Sequence, residues 1–261
     1  MIWLNDCLVD ETQNVASIPI NDRSFLLGEG LFETILTVGS RPVALDRHIS
    51  RMHAGAEILG ISIPTRDAIA VAVTSLLQST QGISLGRMRI TVSGSGSFLI
   101  THQPYKEWSE PAKLVTYPHP FNPKSPMQKV KSTSYGEYLL AYRYAQDRNA
   151  DDALLFNTND AVMEASTANV IALIGGKWVT PPLSSGALPG ITRELLLEWE
   201  LIGERELIFE ELQRCESVAL ISSLRSIQPI VEINGRKFKT VGKVEELATS
   251  YKGSLAGNLN P

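Results

Sequence analysis

Four short apolar segments follow one another between Asp152 and Pro182: DALLFNT, DAVME, NVIALIG and GKWVTPP. Turn residues rich in Asn, Asp and Gly separate them, so each reads as a strand. Helical patterns stand before and after this run, not between its members. The order is therefore not a regular β-α alternation. The expected class is α+β, not a doubly wound parallel sheet.

The flanking segments complete this picture. FETILTV (32–38) and RMRITVSG (87–94) are rich in β-branched residues and predict strands. Between them, DRHISRMHAGAEIL (46–59) places Ile49, Met52, Ala56 and Leu59 on one helical face, with Asp46 as its expected cap. A second helix is expected over 66–78, after Pro64 and Thr65. Residues 102–128 carry many prolines and little helical periodicity, which places an inter-domain connection near 117–126. The expected division is a small domain over 1–116 and a larger one over 127–261. The larger one opens with a strand into Lys131 and a helix over 137–150. Further helices are expected over about 191–201 and 242–251, and strands over 216–223 and 228–233. Asn234-Gly235 between VEI and RKF predicts a hairpin.

The chain has 261 residues, enough for a substantial core. Its 28 acidic and 24 basic residues leave a net charge of −4, which gives no reason to expect nucleic acid or an anionic membrane as main partner. Cys7 and Cys215 are far apart, and no Cys/His spacing suggests a metal. The N-terminus shows no secretory pattern and no apolar run approaches a membrane span, so a cytoplasmic protein is the expectation.

Three pieces in fixed order carry the chemistry: a lysine in KSTSY, a glutamate in VMEASTANVI, and LPGITREL. No single piece is diagnostic, but in that order they could build a site for pyridoxal phosphate. A lysine supplies the amine for a Schiff base. A carboxylate faces the pyridine nitrogen and keeps it protonated. A glycine-led helix start, here Gly190 before Thr192, offers free N–H groups and a dipole to a phosphate. Alternation does not separate Lys129 from Lys131, because both fall on one face of the expected strand. Ser222 and Ser223 follow a strand and can donate to an anion, and Arg51 can add a bidentate contact. Gly28 and Gly30 do not form a dinucleotide fingerprint, since a strand and not a helix follows them.

Taken together, NDRSFLLGEGLFETI, ALDRHISRMHAGAEILGI, KSTSY, NADDALLFNTNDAVMEASTANVI, LPGITREL and ISSLRSIQPI resemble the class IV, fold-type IV pyridoxal-phosphate enzymes. That family includes branched-chain aminotransferases, D-amino acid aminotransferases and 4-amino-4-deoxychorismate lyases. The resemblance covers nearly the whole chain. It implies a small N-terminal and a larger C-terminal domain, the cofactor pyridoxal 5'-phosphate between them, and a homodimer. It implies Lys131 as the Schiff-base lysine and proton shuttle, and Glu164 as partner of the pyridine nitrogen. Arg51, Ile191, Thr192 and Ser223 are implied as phosphate ligands, with Tyr135 near the cofactor's phenolic oxygen.

The reaction is read from departures within the resemblance. Aminotransferases commonly carry an acidic residue in an E-I-x-P-V segment, where this chain has Ser226. SSLRSIQPI looks like the lyases' N-S-L-x-G-x-x-P-V, and NADDALLFNTNDAVME is lyase-like in texture. Ser93 stands where many relatives have an arginine before a glycine; this departure favours neither reaction and leaves the usual substrate-carboxylate contact unassigned. A 4-amino-4-deoxychorismate lyase is the leading expectation. An aminotransferase acting on branched-chain or D-amino acids is the second, and a non-catalytic dimeric binding protein of the same fold is the third.

Overall fold

The computed structural model describes residues 1–10, 12, 16–238 and 241–261. Two compact units divide them. The first comprises Met1–Lys106, Val130–Tyr135 and Asn258–Pro261; the second comprises Glu107–Lys129 and Gly136–Gly257.

In the first unit, β1 (Ile2–Leu4), β2 (Cys7–Val9), α1 (Arg23–Leu27), β3 (Gly30–Val38), β4 (Arg41–Pro42), α2 (Leu45–Leu59), α3 (Arg66–Ser79), β5 (Leu85–Ser93) and β6 (Phe98–Pro104) follow in chain order. The strands form one antiparallel sheet in the order β2-β1-β6-β5-β3-β4. On β5 the alternation is clear. Met88, Ile90 and Val92 enter the core, while Arg87, Arg89 and Thr91 point to the other face. Ile49, Met52 and Ala56 of α2 and Ile69, Val73 and Leu76 of α3 cover the apolar face.

Thr65 caps α3, its hydroxyl oxygen accepting the Ala68 N–H at 3.3 Å. Asp46 does not cap α2. The cap position is Ala44, in the left-handed region at φ 53°. Asp46 lies one residue inside the helix, and Asn260 Nδ2 donates to its carboxylate at 2.8 Å. From there its charge still favours the positive end of the helix.

The strand expected into Lys131 is absent. Pro126–Lys129 form a 3-10 turn instead, where proline's missing N–H costs nothing. The segment after it is fastened to β3 at two points. Phe32 N–H donates to the Lys131 carbonyl at 2.9 Å, and Thr133 N–H donates to the Gly30 carbonyl at 2.9 Å. Glycine is required for this approach. A Cβ on Gly30 would meet Thr133 Oγ1 and Ser24 Oγ at 2.9 Å, and Gly28, at φ +70°, sits against Ser134.

In the second unit, β7 (Ala112–Thr116), α4 (Gly136–Gln146), β8 (Asp152–Phe156), β9 (Val162–Ala165), β10 (Asn169–Ile174), β11 (Lys177–Thr180), α5 (Ile191–Glu198), β12 (Gly203–Glu204), α6 (Phe209–Arg214), β13 (Ser217–Ser222), β14 (Ser226–Ile233), β15 (Arg236–Lys237) and α7 (Val241–Ala256) follow in order. Their sheet runs β12-β11-β10-β13-β14-β7-β8-β9, with β15 beside β14. The four-strand run from Asp152 is confirmed in all its members. The Asn234-Gly235 hairpin also forms, with both residues at positive φ. The strand β7 lies inside the proline-rich stretch, where its alternation of buried Ala112 and Leu114 is short enough to miss.

One antiparallel sheet and one that mixes antiparallel and parallel pairs, with seven α-helices among the described residues, make an α+β protein of the fold-type IV kind. No helix among the described residues is long and apolar enough to cross a membrane.

Candidate active site

The first unit gathers Lys131, Tyr135 and Phe32. Lys131 Nζ lies 4.5 Å from the centroid of the Phe32 ring, and the Tyr135 ring meets Phe32 edge-on at 5.5 Å. Lys131 is half-buried, whereas Lys124 and Lys129 are exposed. A reactive lysine must lose part of its hydration for a neutral amine to be available, so the structure favours Lys131 over Lys129.

Arg51 is tied to a partner that the sequence did not reveal. Its Nε donates to Glu33 Oε1 at 2.8 Å and its Nη2 to Glu33 Oε2 at 2.5 Å. His48, one turn earlier on α2, places Nδ1 2.6 Å from the same Oε2. Glu33 is 1% exposed. Burial alone would raise its carboxyl, but the Arg51 guanidinium and His48 beside it bring it down to about 2. Burial lowers His48, against the pull of Glu33, so a neutral imidazole donating from Nδ1 fits the contact. The clamp fixes the Arg51 plane and leaves three of its five N–H donors unused by Glu33. A signal for Glu33 did exist: it takes the inward place between Leu31 and Ile35, where a lone carboxylate needs a partner.

In the second unit Glu164 is 4% exposed on β9. Three neutral donors hold it: Tyr138 Oη at 3.1 Å, Asn169 Nδ2 at 3.0 Å and the Leu188 N–H at 3.1 Å. Asn169 also donates to the Leu188 carbonyl at 3.0 Å. This residue thus joins the glutamate motif to LPGITREL. Gly190 makes the join possible, because a Cβ there would stand 2.0 Å from Asn169 Oδ1.

Gly190 is the N-cap of α5, and Ile191 and Thr192 form its first turn, where N–H groups lack partners within the helix. Both residues are buried. The Thr192 side chain hydrogen-bonds Tyr251, whose phenol is pushed up by burial, so the backbone N–H is what Thr192 would offer an anion. Ser223 lies in the turn after β13. Beneath that turn is a buried cluster. Asp152 accepts from Ser166 Oγ, from Thr167 Oγ1, and from Arg225 Nη2 at 3.0 Å. It locks the AST turn after Glu164 to the turn that carries Ser223.

Each unit holds groups of the kind pyridoxal phosphate needs: the first an amine on a half-buried lysine, the second a buried carboxylate on neutral donors and a helix start. The class IV amino-transferase family model matches residues 30–233. This chain belongs to that family. It is thereby a member of a pyridoxal-phosphate-dependent enzyme family of lyases and aminotransferases.

A Schizosaccharomyces pombe protein named "Putative aminodeoxychorismate lyase" is 33% identical over 76% of this chain and 87% of its own length. A Methanocaldococcus jannaschii protein named "Putative branched-chain-amino-acid aminotransferase" is 26% identical over 96% of this chain and 95% of its own. The crystal structure of a protein named "Putative 4-amino-4-deoxychorismate lyase" from Legionella pneumophila superposes with a TM-score of 0.81. It is 26% identical and covers 93% of this chain and 98% of that one.

Proposed function

We propose that this class IV enzyme is a 4-amino-4-deoxychorismate lyase, releasing pyruvate and 4-aminobenzoate, a folate precursor. The observation that carries the reading is the 33% identity, over 76% of the chain, to the fission-yeast protein named for that activity. The backbone at Ser226 supports it. Its φ is 55°, the left-handed region that glycine occupies most easily, and the lyase-like N-S-L-x-G-x-x-P-V pattern has glycine at that place.

Pyridoxal phosphate, when bound, supplies a sink for the electron pair left when a proton leaves the carbon bearing nitrogen. Lys131 would hold the cofactor and move that proton. It then gives a proton to the departing enolpyruvate, which leaves as pyruvate while the ring becomes aromatic. Glu164 would hold negative charge against the pyridine nitrogen. Arg51, Ser223 and the N–H groups of Ile191 and Thr192 would take the phosphate, with Tyr135 beside the phenolic oxygen.

The chain is proposed to work as a homodimer in the cytoplasm. Ile20, Phe25, Leu26 and Leu27 are 86%, 71%, 58% and 63% exposed, an apolar run that a second copy would cover. The second reading, a branched-chain or D-amino acid aminotransferase, draws on the 26% identity to the Methanocaldococcus protein. Incubation of cofactor-loaded enzyme with 4-amino-4-deoxychorismate tests the choice. Stoichiometric pyruvate and 4-aminobenzoate are expected. Their absence, with amino transfer from D-alanine or L-leucine to 2-oxoglutarate, would establish the aminotransferase.

A further inference from the structure

Tyr138 stands in the first turn of α4, and its hydroxyl meets two buried acceptors of the second unit. It donates to Gln128 Oε1 at 2.7 Å and to Glu164 Oε1 at 3.1 Å. Glu164 is 4% exposed and Gln128 7%. Asn169 and the Leu188 N–H act on the other carboxylate oxygen, Oε2. The buried Phe121 ring lies 5.3 Å from the Tyr138 ring and packs the phenol into this place.

A phenol has one hydrogen to donate, so Gln128 and Glu164 draw on the same proton. Donation to Glu164 favours the charged carboxylate, because a hydrogen bond to an ionised form stabilises that form. Burial strengthens the effect. Gln128 draws the proton the other way. It belongs to the 3-10 turn Pro126–Lys129, just before Val130 and Lys131. One hydroxyl thus ties the glutamate of VMEAST to the segment that leads into the lysine of KSTSY.

We propose that Tyr138 is a positioning residue for the reaction: its shared proton holds Glu164 charged against the pyridine nitrogen, and Gln128 limits that hold. The inference rests on the reading of Glu164 as the partner of that nitrogen.

Titration of the absorbance of the cofactor-loaded protein with pH tests it. A positive pyridine ring disfavours a second positive charge on the nitrogen that joins Lys131 to the cofactor. When Glu164 loses a donor, it draws the pyridine proton toward itself and the ring charge falls. The nitrogen at Lys131 then keeps its proton to higher pH. Tyr138→Phe is expected to raise the midpoint by about 0.5–1 unit, part of the worth of one hydrogen bond to a charged group. Gln128→Met leaves the whole proton to Glu164 and is expected to lower it. Tyr144→Phe removes a phenol from the same helix, where that ring packs on Tyr117 and Arg148, and should leave the midpoint in place. In a Glu164→Gln background, Tyr138→Phe should add no further shift, because both changes act through one group. Cofactor affinity should stay near wild type in Tyr138→Phe, and kcat should fall about tenfold with KM unchanged.

An unchanged midpoint in Tyr138→Phe, an equal rise in Tyr144→Phe, or no fall in Gln128→Met would overturn the proposal. So would a full additional shift in the Glu164→Gln background. A Glu164→Gln protein that titrates as wild type would overturn the reading of Glu164 itself, a separately visible failure that takes the proposal with it.

Discussion

Arg51 meets Glu33 side-on, with Nε–Oε1 at 2.8 Å and Nη2–Oε2 at 2.5 Å, across the buried contact of α2 with β3. The pair performs two tasks. It neutralises a carboxylate in the core, and it fixes the plane of an arginine proposed to reach the phosphate.

Replacing Glu33 by Gln should therefore lower stability and weaken pyridoxal phosphate together. The Glu33 carboxyl lies at about 2 against an ordinary 4.5, which corresponds to about 3 kcal/mol. Because the folded value is depressed, this stabilisation is present above pH 4.5 and is lost as pH falls from there toward 2. Wild type should lose stability steeply through that window, and the Gln variant should show a flatter acid limb. Urea unfolding at a series of pH values would measure both.

Gly190→Ala should displace Asn169, since the new Cβ would stand 2.0 Å from Asn169 Oδ1. Overpacking of this kind costs about 1–3 kcal/mol. The loss should appear in cofactor affinity, because Asn169 holds both Glu164 and Leu188. Spectral titration with pyridoxal phosphate would read an affinity roughly tenfold or more below wild type. Affinity equal to wild type would separate Asn169 from the site.

Asp152→Ala should destabilise the second unit by about 3–5 kcal/mol, since it leaves the 4%-exposed Arg225 guanidinium without its carboxylate. Thermal unfolding would show it. A change within about 0.5 kcal/mol would mean that the Thr167 and Gln228 contacts suffice for Arg225.

Glu164→Gln should retain cofactor and lose most turnover, because a neutral amide cannot stabilise a protonated pyridine nitrogen. Asn169 and Leu188 both donate to Oε2, which the amide oxygen can replace, while an amide nitrogen at the Oε1 place can donate to Tyr138 Oη, so the fold should persist. Wild-type turnover in this variant would remove Glu164 from the mechanism.

What the sequence disclosed followed local periodicity. The strands from Asp152 to Thr180 and the apolar faces of α2 and β5 were legible because alternation and the 3.6-residue repeat act within a few residues. The Asn-Gly hairpin was legible for the same reason. Lys131 could not be separated from Lys129, because alternation puts both on one face of the expected strand. That strand does not form, and Lys129 falls in a 3-10 turn instead. The position of Lys131 comes from hydrogen bonds to Gly30 and Phe32, about a hundred residues away in the chain. The glycines of LLGEGLF were visible as residues, but their use as room for Thr133 and Ser134 depends on that distant segment. Asp46 met the rule for a helix cap, yet the turn at Ala44 puts the cap of α2 two residues earlier than that reading requires. Glu33, Asn169 and Asp152 act through partners on other elements, so their roles appeared only with the tertiary structure.

The most direct measurement is borohydride reduction of the cofactor-loaded protein, followed by peptide mapping. The expected result is a single reduced cofactor adduct on Lys131, and none in Lys131→Ala. An adduct on Lys129, or no adduct after reconstitution with pyridoxal phosphate, would contradict the assignment of Lys131 as the residue that holds the cofactor.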